Sequence, residues 1–100
     1  MSQHLSWIEY GLNATRAERE RQDRLKAEGR FRYTCADVEM SNPERLAVLM
    51  EEVGEAARVI LEWGQLATDV HGKNLRTELV QIAAVALAWV EALDKIEVAT

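Results

Sequence analysis

Gly and Pro interrupt this chain at few points, and those points divide it into three segments in which apolar residues recur at helical spacing. The chain has five Gly residues and one Pro in 100 residues, so long stretches contain nothing that ends a helix. No stretch shows the alternation of apolar and polar residues that is typical of a half-buried strand. The sequence therefore predicts an all-α fold with three main helices.

The first predicted helix runs from about Leu5 to Glu28, and Gly29 ends it. Its first half is apolar, whereas residues 16 to 24 mix basic and acidic side chains. A charge run of this kind is usually solvated, so we expect the second half to lie largely on the surface. Residues 29 to 41 lack helical spacing and are interpreted as an ordered connector that lies over the core and can border a ligand.

The second and third helices are predicted from their capping residues. Ser41 or Asn42 can cap the second helix, which is expected to end near Trp63. Asn74 can cap the third helix, which is expected to end near Ile96. A turn between them, at residues 65 to 73, reverses the chain, so these two helices should be antiparallel.

Apolar stripes on both helices predict a buried core. On the second helix the stripe is expected to comprise Leu46, Leu49, Val53, Ala56, Ile60 and Trp63. On the third it is expected to comprise Leu79, Ile82, Ala86, Trp89 and Leu93. Most other residues of the third helix are apolar too, and three helices cannot enclose such a surface. We therefore predict an antiparallel bundle completed by homo-oligomerisation, as a dimer or a tetramer, with the third helix in the interface.

Size, charge and cysteine content restrict the class of protein. One hundred residues fit a single domain, residues 1–100. A net charge of -5 disfavours nucleic acid and anionic lipid as partners. The most apolar stretch, residues 79–90, is too short to span a bilayer. Cys35 is the only cysteine, so no intrachain disulfide can form and a cytoplasmic location is expected.

Acidic residues recur at one spacing on the two antiparallel helices. Glu52 and Glu55 lie three residues apart on the second helix, and Glu78 and Gln81 lie three apart on the third, so each pair shares a helix face. Antiparallel packing would bring these pairs together, as in metal sites of helical bundles. Mg²⁺ prefers such oxygen ligands. Gly54, inside the cluster, is expected to mark a close approach of a backbone or a ligand.

The two motifs together resemble a known family. Glu-Glu-x-x-Glu at residues 51–55 and, after a gap of twenty-two residues, Glu-x-x-Gln at residues 78–81 resemble the signature of the MazG-type nucleoside-triphosphate pyrophosphohydrolases. That family is similar in architecture to phosphoribosyl-ATP pyrophosphohydrolase and the dimeric dUTPases. The resemblance implies a MazG-like helical domain with its motif-bearing core at residues 43–96 and an N-terminal helix and connector at residues 1–42.

The resemblance also implies an activity. It implies Mg²⁺-dependent cleavage of a nucleoside triphosphate to the monophosphate and pyrophosphate, with Mn²⁺ as a second usable ion. Glu51 would orient or deprotonate the attacking water. The implied metal ligands are Glu52, Glu55, Glu78 and Gln81. The family has Asp where this chain has Gln81, and because an amide adds no negative charge we expect weaker metal binding and reduced activity or an altered metal preference.

Four further residues are candidates for substrate binding. Lys73 and Arg76 flank the acidic cluster and can contact phosphates, and Trp7 and Phe31 can stack on a base. The runner-up function is a catalytically silent MazG-like oligomer that binds a nucleotide or a protein partner after losing the fourth carboxylate. A DNA-binding helical regulator is disfavoured by the acidic charge.

Overall fold

A computed structural model describes residues 6–63 and 74–100 of the chain, and its elements in these ranges are all α-helices. The helices are α1 (Trp7–Ala27), α2 (Asn42–Trp63) and α3 (Leu75–Ala99). The all-α prediction is confirmed, and α3 extends to Ala99 rather than ending near Ile96. In the described ranges no helix is both long and apolar enough to cross a bilayer. The predicted turn at Gln65 to Lys73 and the predicted helix start at Leu5 lie outside these ranges.

Local hydrogen bonds explain where the helices begin and end. Ser41, rather than Asn42, caps α2: its Oγ accepts from the Glu44 N–H at 3.3 Å, and Glu44 Oε1 accepts from the Ser41 N–H at 2.9 Å. This reciprocal pair is a capping box. Asn74 Oδ1 accepts from the Thr77 N–H at 2.8 Å and caps α3. Gly29 ends α1 at φ 80°, a left-handed conformation that disfavours other residues.

The second and third helices are antiparallel, and α3 packs against both α2 and α1. At one end of the α2–α3 pair, Trp89 Nε1 donates to Asn42 Oδ1 at 2.9 Å. Ten residues further along α2, near its middle, Glu52 lies beside Gln81 of α3. Residue numbers thus rise along α2 as they fall along α3, as the predicted chain reversal requires.

The first helix runs parallel to α3 and is tied to it by a buried arginine. Trp7 lines the same surface depression as Arg76, and twelve residues later Arg19 pairs with Glu91. The Arg19 guanidinium donates to both Glu91 carboxylate oxygens, at 2.6 and 3.0 Å. Arg19 is only 5% exposed. The expectation that the charged half of α1 lies largely on the surface is therefore wrong for the face that packs on α3.

The core is made of small residues rather than of the predicted long aliphatic ones. The buried apolar residues are Cys35, Ala36, Ala56, Val59, Ala84, Val85, Ala88 and Ala92. Several residues of the predicted stripes are instead exposed: Leu46, Val53 and Ile60 on α2, and Leu79, Ala86 and Leu93 on α3. Three of the four buried apolar residues of α3 are alanines, whereas its Leu79, Leu87, Val90 and Leu93 side chains are about half exposed. The side chain of Trp63 lies outside the described part of the chain.

Helices α2 and α3 each have a second apolar face, on the side away from their core contacts. The α2 seam comprises Leu46, Met50, Val53, Ala57 and Ile60, and the α3 seam comprises Leu79, Ala83, Ala86, Val90 and Leu93, all exposed. Both seams follow the alternating spacing of four and three residues that is typical of helices that pack against partner helices. A Cβ added at Gly54 would meet nothing within 4 Å, so none of the residues that the structure describes makes the close approach expected there.

Arg45 holds the connector onto the start of α2, and we predict that its loss destabilises the fold. It is 2% exposed and donates to Cys35 O at 3.0 Å, Asp37 O at 2.6 Å and Asn42 Oδ1 at 2.7 Å. Arg45→Met removes this donor from the carbonyl oxygens of Cys35 and Asp37, whereas Asn42 Oδ1 keeps its bond from Trp89 Nε1. The change should lower the free energy of unfolding by about 2 kcal/mol. Urea denaturation measures it, with Arg24→Met on exposed α1 surface as the control. Equal stabilities of the two variants would contradict this.

Candidate functional site

A cavity of about 180 Å³ lies where the three helices meet the connector. Its polar wall comprises Glu18, Arg21 and Gln22 from α1, Glu52 from α2 and Gln81 from α3. Its remaining wall comprises Phe31, Tyr33, Thr34, Cys35 and Met40 from the connector, with Val48 from α2 and Val85 from α3. The cavity therefore offers both apolar, partly aromatic surface and a group of charged and amide side chains, which is the composition expected of a small-ligand site.

Two carboxylates of the predicted metal site converge on the Gln81 amide. One terminal atom of this amide lies 3.0 Å from Glu78 Oε2 and 3.0 Å from Glu52 Oε2. With nitrogen at that position, the amide donates a hydrogen bond to each carboxylate. With oxygen there, three oxygens face one another, an arrangement that needs a cation between them. Neighbouring oxygens around an octahedral Mg²⁺ are also roughly 3 Å apart, given bonds of about 2.1 Å.

The electrostatics of Glu52 suit a cation as well. Burial, above all, raises the pKa of the Glu52 carboxyl, and the negative charges of nearby acidic residues add to the effect: Glu78, Glu55, Glu18 and Glu51. Glu78 is itself only 3% exposed. Ionised carboxylates crowded in this way repel one another, and a bound cation would offset the repulsion. A charged Glu52 therefore lowers the stability of the metal-free chain.

The structure brings some of the proposed metal ligands together more closely than others. Glu52, Glu78 and Gln81 meet at the 3.0 Å contacts, whereas Glu55 and the exposed Glu51 act on Glu52 through their charge. In residues 6–63 and 74–100 no three His, Cys, Asp or Glu side chains form a group that could hold a metal ion. The convergent set is thus two carboxylates and one amide.

The four candidate substrate-binding residues lie in different places. Phe31 lines the cavity beside Glu52. Trp7 and Arg76 line a separate surface depression with Tyr10, and Trp7 is 88% exposed. Lys73 lies outside the described residues. Of these four candidates, Phe31 is the one that the structure places at the convergent carboxylates.

Sequence reasoning missed the contribution of α1 to this cavity. Glu18, Arg21 and Gln22 belong to the charge run that was interpreted as solvated surface, yet all three are partly buried. Arg21 Nε donates to Glu18 Oε1 at 2.8 Å and Arg21 Nη2 donates to Glu18 Oε2 at 2.8 Å. Their spacing of three and four residues places them on one helix face together with Leu25, which is also partly buried. That spacing was a signal available in the sequence.

Cys35 lies in the cavity wall but is poorly suited to be a nucleophile. It is buried, and burial raises the pKa of its thiol, although the charges of Arg45 and Arg19 act in the opposite direction. The raised pKa keeps this thiol protonated at neutral pH, whereas the thiolate is the reactive form. Chemistry at this cavity is therefore better served by its oxygen ligands than by covalent catalysis.

The comparisons with known proteins add no identification. No family model, no curated protein and no solved structure matches the chain. The residues themselves define a cavity whose wall combines the Glu52 carboxylate and the Gln81 amide with Arg21 and with aromatic side chains of the connector.

Proposed function

We propose that this chain is a Mg²⁺-dependent nucleoside-triphosphate pyrophosphohydrolase of the MazG type, which converts a nucleoside or deoxynucleoside triphosphate to the monophosphate and pyrophosphate. The observation that carries the proposal is the convergence of Glu52, Glu78 and Gln81 at 3.0 Å, with Glu52 and Gln81 in the wall of a cavity that also offers aromatic surface. Such an enzyme would act in the cytoplasm on free nucleotides, without nucleic acid or membrane partners.

The proposed ligands of Mg²⁺, or of Mn²⁺, are the carboxylates of Glu52, Glu55 and Glu78 and the amide oxygen of Gln81. A bound divalent ion supplies positive charge to the phosphate oxygens and lowers the pKa of a coordinated water. Glu51, which is exposed one residue before Glu52, orients or deprotonates the attacking water. The donor set consists of oxygens alone, which is the preference of these hard cations.

The dimensions of the cavity favour one part of the substrate. Its volume of about 180 Å³ is smaller than the roughly 300 to 1,000 Å³ of pockets that enclose whole drug-sized ligands. A nucleobase and part of its sugar are of the right size, with Phe31 and Tyr33 providing aromatic surface for the base. The triphosphate then extends along the wall that carries Glu52 and Gln81.

We further propose that the chain forms a homo-oligomer, a dimer or a tetramer, through the α2 and α3 seams. The accessible surface of one chain is 7347 Å², whereas a compact monomer of this mass exposes roughly 5,700 Å². Its radius of gyration is 15.3 Å, against roughly 13 Å for a compact domain of 100 residues. A second copy that covers the seams would remove their exposed apolar side chains from water.

Pyrophosphate release from a panel of nucleotides tests the proposed activity. We expect purified chain to release pyrophosphate from at least one canonical or modified triphosphate in the presence of Mg²⁺ or Mn²⁺. The reaction should stop when the ion is chelated, because the carboxylates alone cannot neutralise the phosphates. Absence of release from every nucleotide with both ions would refute the enzymatic function.

The second candidate function is a catalytically silent oligomer of the same architecture that binds a nucleotide or a protein partner. One observation favours it: with its nitrogen turned towards Glu52 and Glu78, the Gln81 amide holds both carboxylates without any ion. Gln81→Asp in the same nucleotide panel separates the two functions. A silent scaffold should gain hydrolysis strongly on this change, whereas an active enzyme adapted to Gln81 should change little or lose activity.

A further inference from the structure

The cavity wall includes a basic side chain to which the proposed mechanism assigns no role. Arg21 on α1 lines the same cavity as Glu52 and Gln81, and its side chain is 43% exposed. It is the one basic residue among the described residues that line this cavity. Two other basic residues were considered for phosphate binding. Arg76 lines the depression near Trp7 instead, and Lys73 lies outside the described ranges.

The guanidinium of Arg21 is held in place but keeps donors for a ligand. Glu18 accepts from Nε and Nη2, at 2.8 Å each, and the Glu18 side chain is only 12% exposed. Gln22 Nε2 also donates to Glu18, at 3.4 Å, which helps to fix the carboxylate. A guanidinium has five N–H donors, so this pairing leaves the Nη1 group and one N–H of Nη2 for a ligand.

A nucleotide would bring more negative charge into a wall that is already acidic. Glu18 and Glu52 both line the cavity, and the metal ion proposed at Glu52 offsets only part of the charge of a triphosphate. An arginine matches phosphate oxygens with paired, charge-assisted hydrogen bonds. Arg21 is placed to supply them from α1, in the wall that also carries Glu52 and Gln81.

We infer that Arg21 binds the phosphate groups of the nucleotide in this cavity and that Glu18 is the residue that positions its guanidinium. The inference rests on the proposed function for the identity of the ligand, and it adds a phosphate-binding residue from α1 to that site. It also assigns a role to a part of the charged run on α1 that does not pair with Glu91 and is only partly exposed to solvent.

Binding of a non-hydrolysable nucleotide tests this inference independently of turnover. The full chain and its variants are titrated calorimetrically, in Mg²⁺, with α,β-imido nucleoside triphosphates and with the corresponding nucleosides. Arg21→Ala should weaken binding of the triphosphate analogue at least about tenfold, with nucleoside affinity within about twofold of the original chain. The affinity of Arg21→Lys for the triphosphate analogue should lie between those of the original chain and of Arg21→Ala. Lysine keeps the positive charge but lacks the paired N–H donors of the guanidinium.

Arg24→Ala is the matched control, since Arg24 is an exposed arginine one helical turn further along α1. It should bind both ligands like the original chain. Equal losses in Arg21→Ala and Arg24→Ala, or a loss in Arg21→Ala that affects nucleoside and triphosphate equally, would overturn the phosphate-binding role. An original chain that binds the analogue but releases no pyrophosphate refutes hydrolysis alone, whereas one that binds no analogue refutes both proposals.

Discussion

Replacing Glu52 by Gln is expected to lower Mg²⁺-dependent pyrophosphate release at least about a thousandfold and, at the same time, to stabilise the metal-free protein. A metal ligand contributes several kcal/mol to transition-state charge stabilisation, and each 1.36 kcal/mol corresponds to about a factor of ten in rate. The gain in stability arises because burial and the neighbouring acidic residues penalise a charged Glu52 in the folded chain. We expect a gain of about 0.5 kcal/mol from relief of this repulsion.

The dependence of this gain on pH follows from the direction of the pKa shift. Because the folded chain raises the pKa of Glu52, the folded state binds a proton at a higher pH than the unfolded state does. The penalty is therefore fully present above the folded pKa, and it disappears as the pH falls through that value towards the ordinary glutamate pKa of about 4.3. The stability advantage of Glu52→Gln should be largest near neutral pH and above, and should vanish in acid.

Rate assays and thermal unfolding with and without Mg²⁺ measure both effects, and Glu97→Gln provides the control. Glu97 is exposed on α3 and far along the helix from Glu78. The control should keep its activity and its response to Mg²⁺, whereas Glu52→Gln should lose most of the stabilisation that Mg²⁺ gives the original chain. Activity of Glu52→Gln within tenfold of the original would rule out Glu52 as a metal ligand.

Replacing Val90 by Asp is expected to convert the proposed oligomer to monomers. Val90 lies near the middle of the α3 seam and is 51% exposed in the single chain. In an interface between copies its side chain would be removed from water, and an unpaired carboxylate there costs several kcal/mol. A cost of about 4 kcal/mol raises the dissociation constant about a thousandfold, so the chain should be monomeric at micromolar concentrations.

Sedimentation analysis measures the oligomeric state, and Val98→Asp is the matched control. Val98 is 87% exposed in the last turn of α3, outside the seam, so the same substitution should leave assembly unchanged. A wild-type chain that stays monomeric at concentrations on the order of 100 µM would disprove the interface. Equal dissociation of both variants would show that added charge, rather than the seam, controls assembly.

Sequence reasoning was most accurate where structure depends on neighbouring residues. Gly29 ends α1 and Asn74 caps α3 as predicted, because caps and left-handed residues act through hydrogen bonds within one or two turns. The proximity of Glu52 to Gln81 also follows from sequence, since the three-residue spacing fixes a helix face and a chain reversal makes the two helices antiparallel.

The choice of buried face required the tertiary structure. Both α2 and α3 are apolar on two sides, so periodicity alone favoured the faces with the longest side chains. The folded chain buries Ala84 and Ala88 completely and leaves Leu79 and Val90 about half exposed. The packing of α3 against both α1 and α2 decides this, and it depends on contacts between residues far apart in sequence.

Taken alone, the amino-acid sequence determined the three helices, their caps and the acidic pattern on two of them, because each depends on hydrogen bonds and side-chain spacing within a few turns. Only the tertiary structure decided that α1 completes the cavity. Arg19 pairs with Glu91 and thereby holds one face of the charged helix α1 against α3. This packing brings Arg21 to the site. An ion pair between residues 72 positions apart has no local signature, because it forms only when folding brings α1 and α3 together.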